Sequence, residues 1–123
     1  MTTSIPLCPE DKSDCTRCEL HEQATSVGIK THLYSSANEG YVILIIGQNP
    51  GFHEDNTNEP FVGRSGDILK KSFIGGIDLE HRATLYLGNG VRCHTTNNQA
   101  PKPRHYLECN QHLIEDLQII QPN

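Results

Sequence analysis

The sequence predicts an α/β fold, a parallel sheet covered by helices, and three observations lead there. Tyr41-Val-Ile-Leu-Ile-Ile46 is a continuous β-branched and apolar run bounded by Gly40 and Gly47, which suits a strand buried on both faces. Strand-like and helix-like segments alternate along the chain, the pattern of parallel sheets with crossover helices. Loops rich in Gly, Pro and Asn follow both strand candidates, where α/β proteins place their working residues.

Residues 1–14 form an acidic lead-in in which Pro6 and Pro9 oppose helix. From Cys15 to Ala24 a short helix is expected, carrying two cysteines. The strand at 41–46 comes next, followed by a loop from Gly47 to Pro60 that is too polar and too broken for regular structure. Ser65 to Phe73 sets Ile68, Leu69 and Phe73 at helical spacing, and Thr84 to Leu87 reads as a second strand. A loop over Asn97 to Pro103 leads to an amphipathic helix, Tyr106 to Ile120, built on Leu107, Leu113, Leu117 and Ile120 and ended by Pro122. Two strands make no stable sheet alone, so further strands are expected after Pro122 or from a partner chain. The domain is expected over 15–123.

The chain has 123 residues, of which 35% are hydrophobic, with no Trp and one Met. That is a modest core, and a metal staple would help to hold it. No apolar run approaches the ~18–20 residues of a membrane span, and the N-terminus lacks a basic-then-apolar signal pattern. A soluble, cytoplasmic protein with no membrane partner is expected, and in a reducing compartment its five cysteines are ligands or free thiols before they are disulfides. The net charge of -5 argues against nucleic acid, but its distribution does not. Residues 81–107 contain no acid and carry Arg82, Arg92, Lys102 and Arg104, a segment suited to phosphate contact.

Cys15-Thr-Arg-Cys18 is a C-x-x-C pair, while Cys93 and Cys109 stand far along the chain. This is not the usual two-knuckle zinc spacing, yet four thiolates can converge in space and would suit either zinc or a four-iron cluster. Unrelated buried thiols or a disulfide pair would give the same sequence. Cys8 has no matching partner.

Gly47-Gln-Asn-Pro-Gly51 leaves the first strand with glycines that let backbone approach a ligand and a proline that fixes the turn. Gln48 and Asn49 are the catalytic candidates, because the Asn49 amide can hold a polar group or orient a water. Pro60-Phe-Val-Gly-Arg-Ser-Gly66 sets Phe61, able to stack on a planar base, beside Arg64 at a helix start open to a phosphate. Gly88-Asn-Gly-Val-Arg-Cys93 presents Asn89, whose amide can pair with one edge of a pyrimidine.

In this order, C-x-x-C, apolar strand, G-x-x-P-G, P-F-V-G-R-S-G, strand, N-x-V-R-C and a last Cys on a helix, the chain resembles the iron–sulfur (family 4) uracil-DNA glycosylases from Cys15 to Pro122. The resemblance implies a three-layer α/β/α fold with a central parallel sheet, incomplete here. It also implies a 4Fe-4S cluster on Cys15, Cys18, Cys93 and Cys109 in place of zinc, and excision of uracil from single- or double-stranded DNA. Phe61 would stack on the extruded base, Asn89 would read its edge, Gly47 would lie against the nucleotide, and Arg64, Arg92, Lys102 and Arg104 would meet phosphates. Two departures stand out. Gln48-Asn49 replaces the family's usual Glu-Ala, and no His-Pro-Ser-like loop occurs before Asn123. The chain therefore looks like the first two-thirds of such a domain. Besides an active glycosylase, an inactive iron–sulfur DNA-binding module of a larger replication or repair protein fits these residues, as does a zinc-stabilised interaction domain.

Overall fold

The computed structural model describes residues 5–6 and 15–123, so the lead-in expected over 1–14 and Cys8 lie almost wholly outside the described residues. Four strands form one sheet: β1 (Ile5–Pro6), β2 (His32–Ser35), β3 (Tyr41–Gly47) and β4 (Ala83–Asn89). Their order is β1-β2-β4-β3. β3 and β4 run parallel from Tyr41↔Ala83 to Gly47↔Asn89, whereas β2 is antiparallel to β4 and β1 to β2. The sheet is thus mixed, and parallel only at the pair that carries the loops. The sequence reading missed β2 because four residues with mixed polarity show neither alternation nor an apolar run.

β4 alternates as a central strand should, with Ala83, Leu85 and Leu87 buried against Tyr34 and Ile74. β3 departs from its expected double burial. Tyr41 and Ile46 are exposed and the residues between them only half-buried, because β3 is the edge strand among the described residues. Asn123 reaches that edge, donating its N–H to the Val42 carbonyl at 2.9 Å and accepting the Val42 N–H at 2.8 Å.

The helices are α1 (Leu20–Gln23), α2 (Phe52–Thr57), α3 (Arg64–Ile68) and α4 (Pro103–Ile120). α1 is shorter than expected, and α2 falls inside the stretch expected to be irregular. α3 widens into π-type winding over Leu69–Ile74, which buries Ile74. α4 opens on Pro103, a residue suited to a first helical turn because its missing N–H would have no partner there. Its buried face is His105, Cys109, Asp116 and Ile120, while the expected anchors Leu107 and Leu117 are exposed. A cysteine and an ion pair, not a leucine stripe, set its rotation. Among the described residues no helix is long and apolar enough to cross a membrane.

Candidate active site

The parallel β3–β4 pair delivers Gly47 and Asn89 side by side at the carboxyl ends of the strands. Past them the loops stay together, with Gly90 donating to the Gly47 carbonyl at 2.9 Å and Val91 to that of Gln48 at 3.0 Å. A cleft of about 550 Å³ opens here, lined by both loops, the first turn of α2 and the start of α3. Gly47, Phe61 and Asn89 converge at one point. A Cβ on Gly47 would stand 2.7 Å from Asn89 Oδ1 and 2.8 Å from Phe61 Cζ, inside van der Waals contact of both, so glycine is what lets the amide and the ring close on the end of β3.

Phe61 is held under strain, its φ of 55° lying in the left-handed region that bulky residues avoid. Gly66 makes that turn possible, since a Cβ there would sit 2.1 Å from the Phe61 carbonyl oxygen. Asn49 spends its amide hydrogens on Pro50 O and Thr95 Oγ1, both at 3.3 Å, which leaves Oδ1 as an acceptor. Gln48 is exposed on the cleft wall.

Two cleft residues went unread in the sequence. Glu54 Oε1 accepts the Gly51 N–H at 2.9 Å, and Oε2 accepts those of Val62 at 2.9 Å and Gly63 at 2.6 Å. One carboxylate thereby clamps the Gly47–Gly51 loop to the Pro60–Gly66 loop. Burial works to raise its pKa, but the backbone N–H groups outweigh burial and hold it below the usual carboxylate range. Two N–H groups expected to meet a phosphate at the entry to α3 are therefore already taken. The readable signal was Glu three residues after Gly51, the spacing of a carboxylate that reaches back to a helix start. The second residue, Asn98, stands in a short turn, Thr96–Asn98, with an exposed side chain that nothing in the sequence distinguishes.

The four candidate ligand cysteines come together beside this cleft. Cys93 and Cys109 are buried with Leu20 and Val91, Cys18 packs against them, and Cys15 is close enough to act electrostatically on the other three. Burial pushes the Cys93 thiol up to about 11 against the Gly28 N–H, which donates to Sγ at 3.2 Å, and its thiol neighbours push the same way. Burial likewise raises Cys18 and Cys109, the latter opposed by the Arg92 N–H. His112 Nε2 lies 3.1 Å from Cys15 Sγ. Four thiolates supplied with N–H donors, yet costly to ionise together, are a donor set that a multivalent cation would neutralise. Glu19, next to Cys18, ties this end to α4. His105 and Arg104 bond its carboxylate at 2.8 and 2.6 Å and hold it down at about 2.

The expected phosphate contacts separate. Arg64 and Lys102 are exposed, and Arg64 lines the cleft. Arg104 is exposed but shares its charge with Glu19. Arg92 is a correction: it is buried, its guanidinium pairs with the carboxylate of Asp116, and it reaches Thr31 Oγ1 and the His112 carbonyl at 3.4 Å. Its place beside Cys93, which made it look like part of a basic face, carries it into the interior instead.

Comparison with known proteins matches residues 35–123 to the uracil DNA glycosylase superfamily. Over 123 residues the chain is 34% identical to the Type-4 uracil-DNA glycosylase of Thermotoga maritima, which covers 97% of this chain and 58% of that protein. It is 33% identical over 109 residues to the Type-4 uracil-DNA glycosylase of Archaeoglobus fulgidus, covering 89% of this chain and 51% of that one. For that of Sulfurisphaera tokodaii the figures are 29% over 122 residues, 97% and 51%. The chain spans about half the length of the curated relatives it matches. The superfamily match takes in β3, β4 and the loops that place Gly47, Phe61 and Asn89 around one cleft, and the chain belongs to the uracil DNA glycosylase superfamily.

Proposed function

We propose that this chain is a uracil-DNA glycosylase, hydrolysing the N-glycosidic bond of uracil in DNA, and that Cys15, Cys18, Cys93 and Cys109 hold a 4Fe-4S cluster. The observation that carries the reading is the meeting of Gly47, Phe61 and Asn89. A flat base turned out of the stack finds a ring to lie on and an amide to pair with, both drawn in against the strand end by Gly47, at the wall of the cleft. Extrusion costs a few kcal/mol and is easiest from single strands. Asn49 Oδ1, left as an acceptor, orients the attacking water towards the sugar, with Gln48 beside it on the cleft wall. Arg64 and Lys102 meet the phosphates on either side.

Cys15, Cys18, Cys93 and Cys109 would hold the cluster, tying the N-terminal Cys15–Cys18 turn to Cys93 and to Cys109 on α4, and the hydrolytic chemistry stays with the cleft residues.

A glycosylase-like iron–sulfur module that grips DNA without releasing a base is the second reading, to which the exposed Arg64 and Lys102 lend themselves equally. Base release from a uracil-containing single-stranded oligonucleotide separates the two, using anaerobically purified protein in excess. Release that disappears in Asn89→Ala supports the glycosylase. Iron-loaded protein that binds the oligonucleotide in a salt-dependent way and releases nothing supports the module.

A further inference from the structure

We propose that His94 is a positioning residue which, braced by Asp55, sets the direction in which the Asn98 amide faces the cleft. The inference rests on the glycosylase reading and adds a hydrogen-bond donor for the extruded nucleotide.

Asn98 needs such a brace. It lines the cleft from a turn in which Asn97 and Asn98 both take left-handed backbone, with φ of 54° and 55°, and its side chain is exposed. Nothing in the turn itself fixes χ1 or the amide plane. His94 Nε2 lies 2.6 Å from Asn98 Oδ1, and on the other side of the ring His94 Nδ1 lies 3.6 Å from Asp55 Oδ2. Nε2–H, donating to Oδ1, makes the ring's hydrogen bond, while the Asp55 carboxylate stands against the other edge of the ring, in ion-pair and not hydrogen-bond range of Nδ1.

Asp55 in turn is fixed. It is buried in α2, and its carboxylate accepts the N–H groups of Ser26 at 2.8 Å and Thr25 at 3.1 Å. The Gln23 side-chain amide donates to the His94 carbonyl, pinning the backbone as well. Rigidity thus passes from a buried carboxylate through a mostly buried ring to an exposed amide.

The polarity follows from that contact. With Oδ1 turned to His94, the end of the Asn98 side chain left for a ligand is its NH₂, a donor and not an acceptor. Asn49 is the reverse, with its NH₂ engaged and its Oδ1 left over. The cleft then holds one amide able to accept from a water and one able to donate to an oxygen of the departing base, where negative charge collects as the bond breaks.

The test is a double-mutant cycle on the cluster-loaded protein, with the visible absorbance of the cluster confirming each variant's loading. Single-turnover uracil release is measured for wild type, His94→Ala, His94→Gln, Asn98→Ala and the double variant His94→Ala/Asn98→Ala. His94→Ala should slow release about tenfold, the scale of one hydrogen bond, with oligonucleotide affinity nearly unchanged. His94→Gln, whose own NH₂ can donate to Oδ1, should recover part of the rate. In the Asn98→Ala background the loss of His94 should make no further difference. Equal losses in both backgrounds, or an undiminished His94→Ala rate, would overturn the proposal. If wild type releases no base, the glycosylase reading fails by itself, and the positioning role is then read from the ratio of affinities for uracil and thymine oligonucleotides. His94→Ala must lower that ratio when Asn98 is present and leave it alone when Asn98 is gone; a ratio that ignores His94 refutes the role.

Discussion

Glu54→Ala removes the one side chain among the described residues that bonds both the Gly47–Gly51 and the Pro60–Gly66 loops. Three backbone N–H groups, of Gly51, Val62 and Gly63, lose a charged acceptor at 2.6–2.9 Å. Bonds to a charged group contribute roughly 1.5–3 kcal/mol each, but the carboxylate is partly solvated and water can replace it, so about 3 kcal/mol in total is the reasoned loss. For a chain of 123 residues that corresponds to a drop in Tm of roughly 12 °C. The catalytic effect should be larger than the stability effect implies. The freed loops carry Asn49 and Phe61, and misplacement by about 1 Å can slow a reaction ~10²-fold. Glu54→Gln should be intermediate, because its NH₂ must face one of the N–H groups it now confronts. The pH dependence has a definite sign. The folded-state pKa of Glu54 lies below that of an ordinary glutamate, so its stabilisation is complete above the ordinary value and fades as pH falls through the lower folded-state pKa. Thermal melts of wild type and Glu54→Gln from pH 7 down to pH 3 should converge at the acid end. Scanning calorimetry with single-turnover base release on the same preparations is the assay. A Glu54→Ala protein that melts within about 2 °C of wild type and releases base at the wild-type rate would show that the loops hold each other without the clamp.

Gly47→Ala should slow base release by at least ~10²-fold and cost about 1–3 kcal/mol of stability, since the added methyl clashes with Asn89 and Phe61 and displaces both; activity and calorimetry together check it. Arg92→Ala leaves Asp116 buried without its partner and should destabilise by about 3–5 kcal/mol, measured by denaturant unfolding. Lys102→Ala should leave stability alone and reduce the salt slope of oligonucleotide binding by about one unit.

What the sequence made legible follows the range of the forces involved. The β3–β4 pair could be read because β-branched and apolar residues run unbroken through β3 even though it lies at the sheet edge, and its loops could be read from the Gly and Pro that end them. The four cysteines could be grouped because few other roles suit them in one small chain. α2 was hidden because its stability is tertiary. Phe52–Thr57 has poor helix composition, and it is Glu54 and Asp55, bonding to Val62, Gly63, Thr25 and Ser26, that hold it. Arg92 was misread for the same reason from the other side. A buried arginine looks like a surface one until its partner, Asp116, 24 residues on, is seen to reach it. The rotation of α4 was lost with it, since two of its four buried positions are Asp116 and His105, which a hydrophobic pattern discards.

The stretch from Asn89 to Asn98 joins the cleft to the four-cysteine cluster. Asn89 leaves β4 beside Gly47, Val91 bonds back to Gln48, Arg92 plunges into the ion pair with Asp116, and Cys93 enters the thiol cluster. The chain then returns: His94 contacts Asp55 and Asn98, and Thr95 Oγ1 receives the Asn49 amide. Ten residues thus touch Asn89, the four-cysteine cluster and the amides of Asn49 and Asn98. No helix or strand follows β4 until the short turn at Thr96, and such a segment would by itself be free to move. Its midpoint is instead fixed by the Arg92–Asp116 pair to α4 and packed through Cys93 against Cys109 and Val91. Amides placed by so few local bonds hold their direction only if the backbone beneath them is held first, and these two contacts hold it without entering the cleft.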